Sequence, residues 1–222
     1  MNESRLPPGF SGDDAAALPL HLLRRDTLAS WRDAQPEAVG AWLDAHGFDA
    51  APGTMLPLPA DDGRVAGALL GIGDPLDPFS YAHGPAGLPG DAWRVAGDHS
   101  DAERRALQLG WGLGAYRFDR YKARPRGPAK LAGSHDAATF DLLAACVRVR
   151  DLVNTPSQDM GPEQLEDVAR GIAEHHGARF EAITGDDLLA RHYAEAPHHA
   201  GSGGDAHVHK RRSAPVASRR GR

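Results

Sequence analysis

The side chains of this chain that could do chemistry are three carboxylate pairs, a histidine-rich run, one thiol and a few isolated serine, histidine and glycine patterns. Asp13-Asp14, Asp61-Asp62 and Asp186-Asp187 each set two carboxylates side by side, the donor type a hard cation takes. Adjacent carboxylates more often occupy solvated turns or helix starts, and Asp186-Asp187 falls where a helix N-terminus favours negative charge. A structural role is the expectation for all three pairs. Five of the twelve histidines (His192, His198, His199, His207 and His209) lie in residues 191–222. Such tracts can chelate divalent ions. No carboxylate or second histidine cluster is spaced to complete a tetrahedral site, so incidental composition is the expectation. Cys146 falls on an apolar helical face, where a thiol acts as a small inert hydrophobe. His175-His176 ends a helix, and His176 continues its apolar face, which favours packing or capping over ligation. Gly71-Ile72-Gly73 follows a strand but has no third glycine or lysine to complete a phosphate loop. Ser134, His135 and Ser157 lack the strand–turn–helix elbow of a serine hydrolase. No catalytic, metal-binding or substrate-binding residue is assigned from the sequence.

The elements that would position these residues alternate between helix and strand. Pro36 suits a first helical position, and Val39, Trp42, Leu43 and His46 recur at helical spacing before Gly47 stops the helix. Residues 54–58 and 64–72 read as strands, the second a near-continuous small-apolar run suited to a strand covered on both faces. A Pro- and Gly-punctuated loop spans 73–90, and Trp93 to Val95 reads as a short strand. Ser100 and Glu103 form a capping box for a helix running to about Leu113. Alternation from Ala115 to Tyr121 predicts a further half-buried strand. The longest helix runs from about Asp136 to Val153. It carries one stripe of Phe140, Leu143 and Val147 and another of Leu142, Cys146, Val149 and Val153, so packing on two sides is expected. Pro156 ends it and Pro162 opens another, stopped at Gly177. A strand over 179–183 and a helix start at Gly185-Asp186-Asp187-Leu188-Leu189 follow.

The fold class is therefore α/β: an N-terminal domain with a small mixed sheet flanked by helices, a long connecting helix, an incomplete start of a second α/β domain, and a disordered tail. The expected boundaries are a loose arm at 1–16, the N-terminal domain at 17–133, the connecting helix and junction at 134–160, the second-domain start at 161–190 and the tail at 191–222. The chain is 41% hydrophobic and 25% charged, ordinary for a globular protein with a core. Its net charge of −5 is uneven, because the tail holds seven basic residues against two acidic ones. The acidic body shows no basic face for nucleic acid, and Lys210-Arg211-Arg212 alone is weak grounds for one. The tail lacks Leu, Ile, Met, Phe and Trp, too little apolar surface to offset the entropy of ordering. One cysteine permits no intrachain disulfide, and the sequence contains no apolar run long enough to span a bilayer. A cytoplasmic protein without membrane partners is the expectation.

The most specific stretch is Arg150-Asp151-Leu152-Val153-Asn154-Thr155-Pro156 followed by Asp159-Met160-Gly161-Pro162. It resembles the interdomain junction of the leucyl aminopeptidase (cytosol aminopeptidase) family. Gly110-Trp111-Gly112-Leu113-Gly114-Ala115-Tyr116-Arg117-Phe118 and Gly185 to Leu189 support the resemblance, which extends over most of residues 17–190. It implies a parent reaction in which two divalent metals, zinc or manganese, activate water to hydrolyse the N-terminal residue from a peptide. It also implies a hexamer with the N-terminal domain outermost and free of catalytic residues. The family signature Asn-Thr-Asp-Ala-Glu-Gly-Arg-Leu is absent here, and Asn154-Thr155 continues instead with Pro156. No family metal ligand, catalytic lysine or catalytic arginine maps onto this chain. The expectation is thus a truncated, inactive relative needing no cofactor of its own, with a binding or oligomer-assembly module as the alternative. The abrupt change of composition at Arg191, within a helix-forming run, suggests a shift of reading frame.

Overall fold

Leu20, Leu22, Ala68, Leu70 and Trp93 on one side of a sheet, and Leu23, Leu56 and Leu69 on the other, make two separate cores. In the computed structural model the described residues are 6–122, 126–185, 187 and 188, with the backbone of 207–209. The chain divides into two units, Met1–Asp151 and Leu152–Arg222.

The first unit holds six strands: β1 (Phe10–Ser11), β2 (Leu18–Leu23), β3 (Met55–Pro59), β4 (Val65–Gly71), β5 (Ala92–Val95) and β6 (Lys130–Ala132). They form one sheet in the order β1-β6-β5-β2-β4-β3. All adjacent pairs are parallel except β3 with β4. Pro57 and Pro59 lie on the edge strand β3, where a missing amide breaks no central ladder. The register Leu20↔Ala68 and Leu22↔Leu70 lines up one apolar face, and the alternate residues His21↔Leu69 and Leu23↔Gly71 fall on the other. Helices α1 (Arg25–Asp33) and α2 (Glu37–His46) cover that second face through Leu28, Trp31, Val39 and Trp42. As its sequence predicts, α2 ends at Gly47 in the left-handed conformation, φ 59°.

On the first face lie a 3₁₀ turn (Pro78–Tyr81), the short α3 (Gly84–Gly87), α4 (Asp101–Ala115) and the first part of α5 (Ala137–Asn154). The glycines of α4 are points of close approach. A Cβ on Gly110 would stand 1.8 Å from the Pro78 carbonyl oxygen, and one on Gly114 2.0 Å from that of Ala82. On the adjoining side Gly112 leaves room for Leu143 of α5, 2.2 Å from an added Cβ. Trp111 between them is fully buried and donates from Nε1 to the Ala129 carbonyl at 3.2 Å.

Three expectations change, and one helix joins those the sequence predicts. Phe10 of the supposedly loose arm is buried, because β1 adds to β6 and the Phe10 ring packs edge-on to His135 and Phe140, at 5.0 and 4.9 Å. Residues 25–33 form α1 although only Leu28 and Trp31 give its sequence a helical rhythm. No strand forms over residues 115–121. Tyr116 caps α4, its hydroxyl donating to Asp151 at 2.7 Å while the Arg150 guanidinium lies 5.4 Å from its ring centroid. Arg150 also donates to the Leu113 carbonyl at 2.7 Å. The residues after α4 and those of the junction are therefore tied side chain to side chain, which replaces strand pairing. Finally, α5 turns the stripe of Phe140, Leu143 and Val147 to the core, with Leu143 buried and the other two partly so, whereas Leu142, Val149 and Val153 are exposed.

The second unit contains the end of α5, a turn closed by Asp159 N–H to Pro156 O at 2.9 Å, α6 (Pro162–His175), β7 (Ala182–Thr184) and β8 (His207–His209). Gly161 precedes α6, and its N–H donates to Gln164 Oε1 at 3.0 Å. β7 pairs antiparallel with β8 through Ala182↔His209 and Thr184↔His207. The tail expected to be disordered thus supplies three strand residues, and the rest of it lies outside the described residues.

Candidate functional site

Two of the carboxylate pairs, Asp13-Asp14 and Asp61-Asp62, lie in loops and turns. Asp13 Oδ1 accepts from the Ala15 N–H at 3.0 Å, and Asp62 Oδ1 from the Arg64 N–H at 2.9 Å in the turn joining β3 to β4. Asp186 lies outside the described residues, as do His192, His198, His199 and Lys210 to Arg212. Cys146 is a half-buried free thiol on α5. The His175 and His176 rings stack edge-on at 4.9 Å where α6 ends. Gly71 is needed for packing, since a Cβ there would meet the Ala51 carbonyl oxygen at 2.1 Å. Ser157 is exposed in the turn after α5. Among the described residues no group of three or more His, Cys, Asp or Glu is placed to hold a metal ion. The two divalent metals implied by the family resemblance find no ligand set there, so no metal-dependent step is assigned to these residues.

Among the described sequence candidates, Ser134 and His135 come together with other polar groups in one cleft. They line a cleft of about 500 Å³ at the carboxyl ends of β5 and β6, where open α/β sheets commonly bind ligands. The strands leave the sheet by matching routes. Gly97-Asp98-His99-Ser100 leads from β5 into α4, and Gly133-Ser134-His135-Asp136 leads from β6 into α5. Each begins with a glycine at positive φ, 88° and 112°, a backbone that side chains resist. Each ends in a cap. Ser100 Oγ accepts from the Glu103 N–H at 3.3 Å, and Asp136 Oδ2 from the Thr139 N–H at 2.8 Å. The histidine of each sets Nε2 against a backbone carbonyl, Ala96 at 3.2 Å for His99 and Ser11 at 3.1 Å for His135.

Buried Gln108 locks the two routes together, donating from Nε2 to the Asp136 carbonyl and accepting the Asp136 N–H at Oε1, both at 2.8 Å. Hydrogen bonds from Thr139 hold the Asp136 carboxyl below its usual range, helped by the charge of Arg105. Burial pushes the His135 imidazole down, which favours its neutral form. Arg104 is engaged by the Asp101 carboxylate and the His99 carbonyl. Arg94 on β5 and Arg105 on α4 complete the cationic lining. Sequence reasoning passed over Arg94, His99 and Arg105. The available signal was the repeated pattern of glycine, one polar residue, histidine and a capping residue.

Residues 18–133, from β2 through β6, match the family model described as M17 aminopeptidase, N-terminal domain. The chain belongs to the M17 aminopeptidase family. A probable cytosol aminopeptidase of Streptomyces coelicolor is 28% identical, with 70% of this chain and 38% of that protein covered. One of Leifsonia xyli subsp. xyli is 30% identical, covering 74% and 35% respectively. Among solved structures, the cytosol aminopeptidase of Coxiella burnetii aligns with a TM-score of 0.70 and 27% identity, over 80% of this chain and 40% of that one. The bottromycin maturation enzyme BotP shares the fold at a TM-score of 0.59 and 23% identity, over 79% and 41%. The chain spans less than two-fifths of the length of these curated relatives. No helix among the described residues is long and apolar enough to cross a membrane.

Proposed function

We propose that this chain is the non-catalytic N-terminal portion of a leucyl aminopeptidase-like protein and has no peptidase activity by itself. The observation that carries the reading is that the family match is to the N-terminal domain, at residues 18–133. It is supported by the sequence beyond the junction, where the carboxylate signature expected of the catalytic domain does not occur. The parent reaction would be cytoplasmic, hexameric, two-metal hydrolysis of N-terminal residues from peptides, with zinc or manganese supplying the activated water. The compositional break at Arg191 supports a reading-frame change as the origin of the tail.

The test is release of nitroaniline from leucine p-nitroanilide by the pure chain with zinc or manganese added. No chelator-sensitive release is expected, and a rate abolished by chelator overturns the reading. Exposed Leu142, Val149 and Val153 along α5 favour a second reading, an oligomer-assembly module. Co-purification of the tagged chain with a full-length relative would support it, and a monomer indifferent to that relative would not.

A further inference from the structure

We propose that the cleft at the carboxyl ends of β5 and β6 binds a hydroxylated organic phosphate, a molecule of sugar-phosphate size. The reading goes beyond the family assignment and does not depend on it. The volume of about 500 Å³ suits such a ligand.

Charge decides the class. Three carboxylates reach the cleft, but two are committed: Asp101 to Arg104, and Asp136 to the cap of α5. That leaves Asp98 in the same lining as Arg94 and Arg105; Arg105 acts on Asp136 through its charge, but neither arginine forms an ion pair among the described residues. A guanidinium is a planar fork of donors, and its match is an oxyanion. The two oxygens of a carboxylate fill one fork, whereas a phosphate has oxygens enough for two. The backbone leaves room for the approach, since a Cβ added at Gly97 or Gly133 would meet no atom within 4 Å.

The histidines point to the hydroxyl. A carbonyl oxygen only accepts, so Nε2 of His99 and of His135 must carry the proton that each gives to Ala96 O and Ser11 O. In the neutral ring Nδ1 is then an acceptor, suited to a hydroxyl and not to the phosphate itself. The N-termini of α4 and α5 add favourable partial charge, but Ser100 and Asp136 already cap them, so the arginines carry the anion.

The experiment is calorimetric titration of the full chain with ribose 5-phosphate at low ionic strength, alongside malate as a dicarboxylate. Saturable one-site binding of ribose 5-phosphate is expected, weakened at least about tenfold, or about 1.4 kcal/mol, in Arg94→Gln/Arg105→Gln. Arg64→Gln, in the turn between β3 and β4, should leave it unchanged. Thermal midpoints are read in parallel, and the two single variants are used if the pair fails to fold. Absent saturable binding, equal binding of malate, or equal loss in Arg64→Gln each overturns the proposal.

Discussion

The two units of the chain use the same local grammar and reach different degrees of burial. In the first, helices and strands enclose two cores, and Trp93, Trp111, Tyr81 and Leu143 are almost wholly removed from water. In the second, α6 has an apolar face as regular as any in the first unit, yet its one buried residue is Ala173, and Leu165 remains 46% exposed. An amphipathic stripe makes a helix possible, but burying the stripe requires a second surface. The first unit supplies one with its sheet. The same contrast runs along α5, where Leu143 is 2% exposed and its neighbour Leu142 51%.

Substitutions can sharpen that contrast. The largest effect is expected at Gly110→Ala, which drives a Cβ into the Pro78 backbone and should cost about 3 kcal/mol in chemical denaturation. An unchanged midpoint would show that the 3₁₀ turn does not seat on α4. Leu143→Ala should cost a similar amount, about 3 kcal/mol, and Leu142→Ala less than about 0.5. Equal losses would mean that the outer stripe of α5 is covered in solution.

Acid should loosen the α1/α2 face of the sheet. His21 Nδ1 accepts the Trp31 indole N–H at 3.3 Å, and burial holds the imidazole below its ordinary 6.5. Because the folded state disfavours the proton, this contribution is complete above pH 6.5 and is lost as pH falls toward the lowered folded value. His21→Phe should therefore flatten the stability–pH curve below 6.5, and an identical slope in both proteins would exclude His21 as its source. One substitution should give a gain. Gly171→Ala in α6 meets open space and should stabilise that helix by about 0.5–1 kcal/mol. Its direction opposite to Gly110→Ala would mark the difference between the units directly.

Much of the helical content was legible because caps and periodicity are local. Ser100 with Glu103, Gly47 after α2 and Pro162 at the start of α6 each act within a few residues of their own position. β1, β2 and β6 were not legible. The two residues of β1 and the three of β6 have no period to detect, and Phe10–Ser11 becomes a strand only because Leu131 lies opposite Phe10. The six residues of β2 carry leucine on both faces, which blurs their alternation. The alternation after Ala115 misled for the converse reason. Tyr116 and Phe118 have strand spacing, but no partner strand stands beside them, and Tyr116 bonds to Asp151 instead. The cleft was half-visible: Ser134 and His135 were noticed, whereas Arg94, His99 and Arg105 acquire meaning only beside them.

The sequence by itself determined the α/β class, the extent of the principal helices, the junction at residues 150–162 and, through that junction, the family. All of these are carried by contiguous residues. Tertiary structure alone decided the strand order, which stripe of α5 meets the core and which polar groups share the cleft. These depend on pairings between residues far apart in the chain, such as Phe10 with Leu131 and Gln108 with Asp136, which no local pattern encodes.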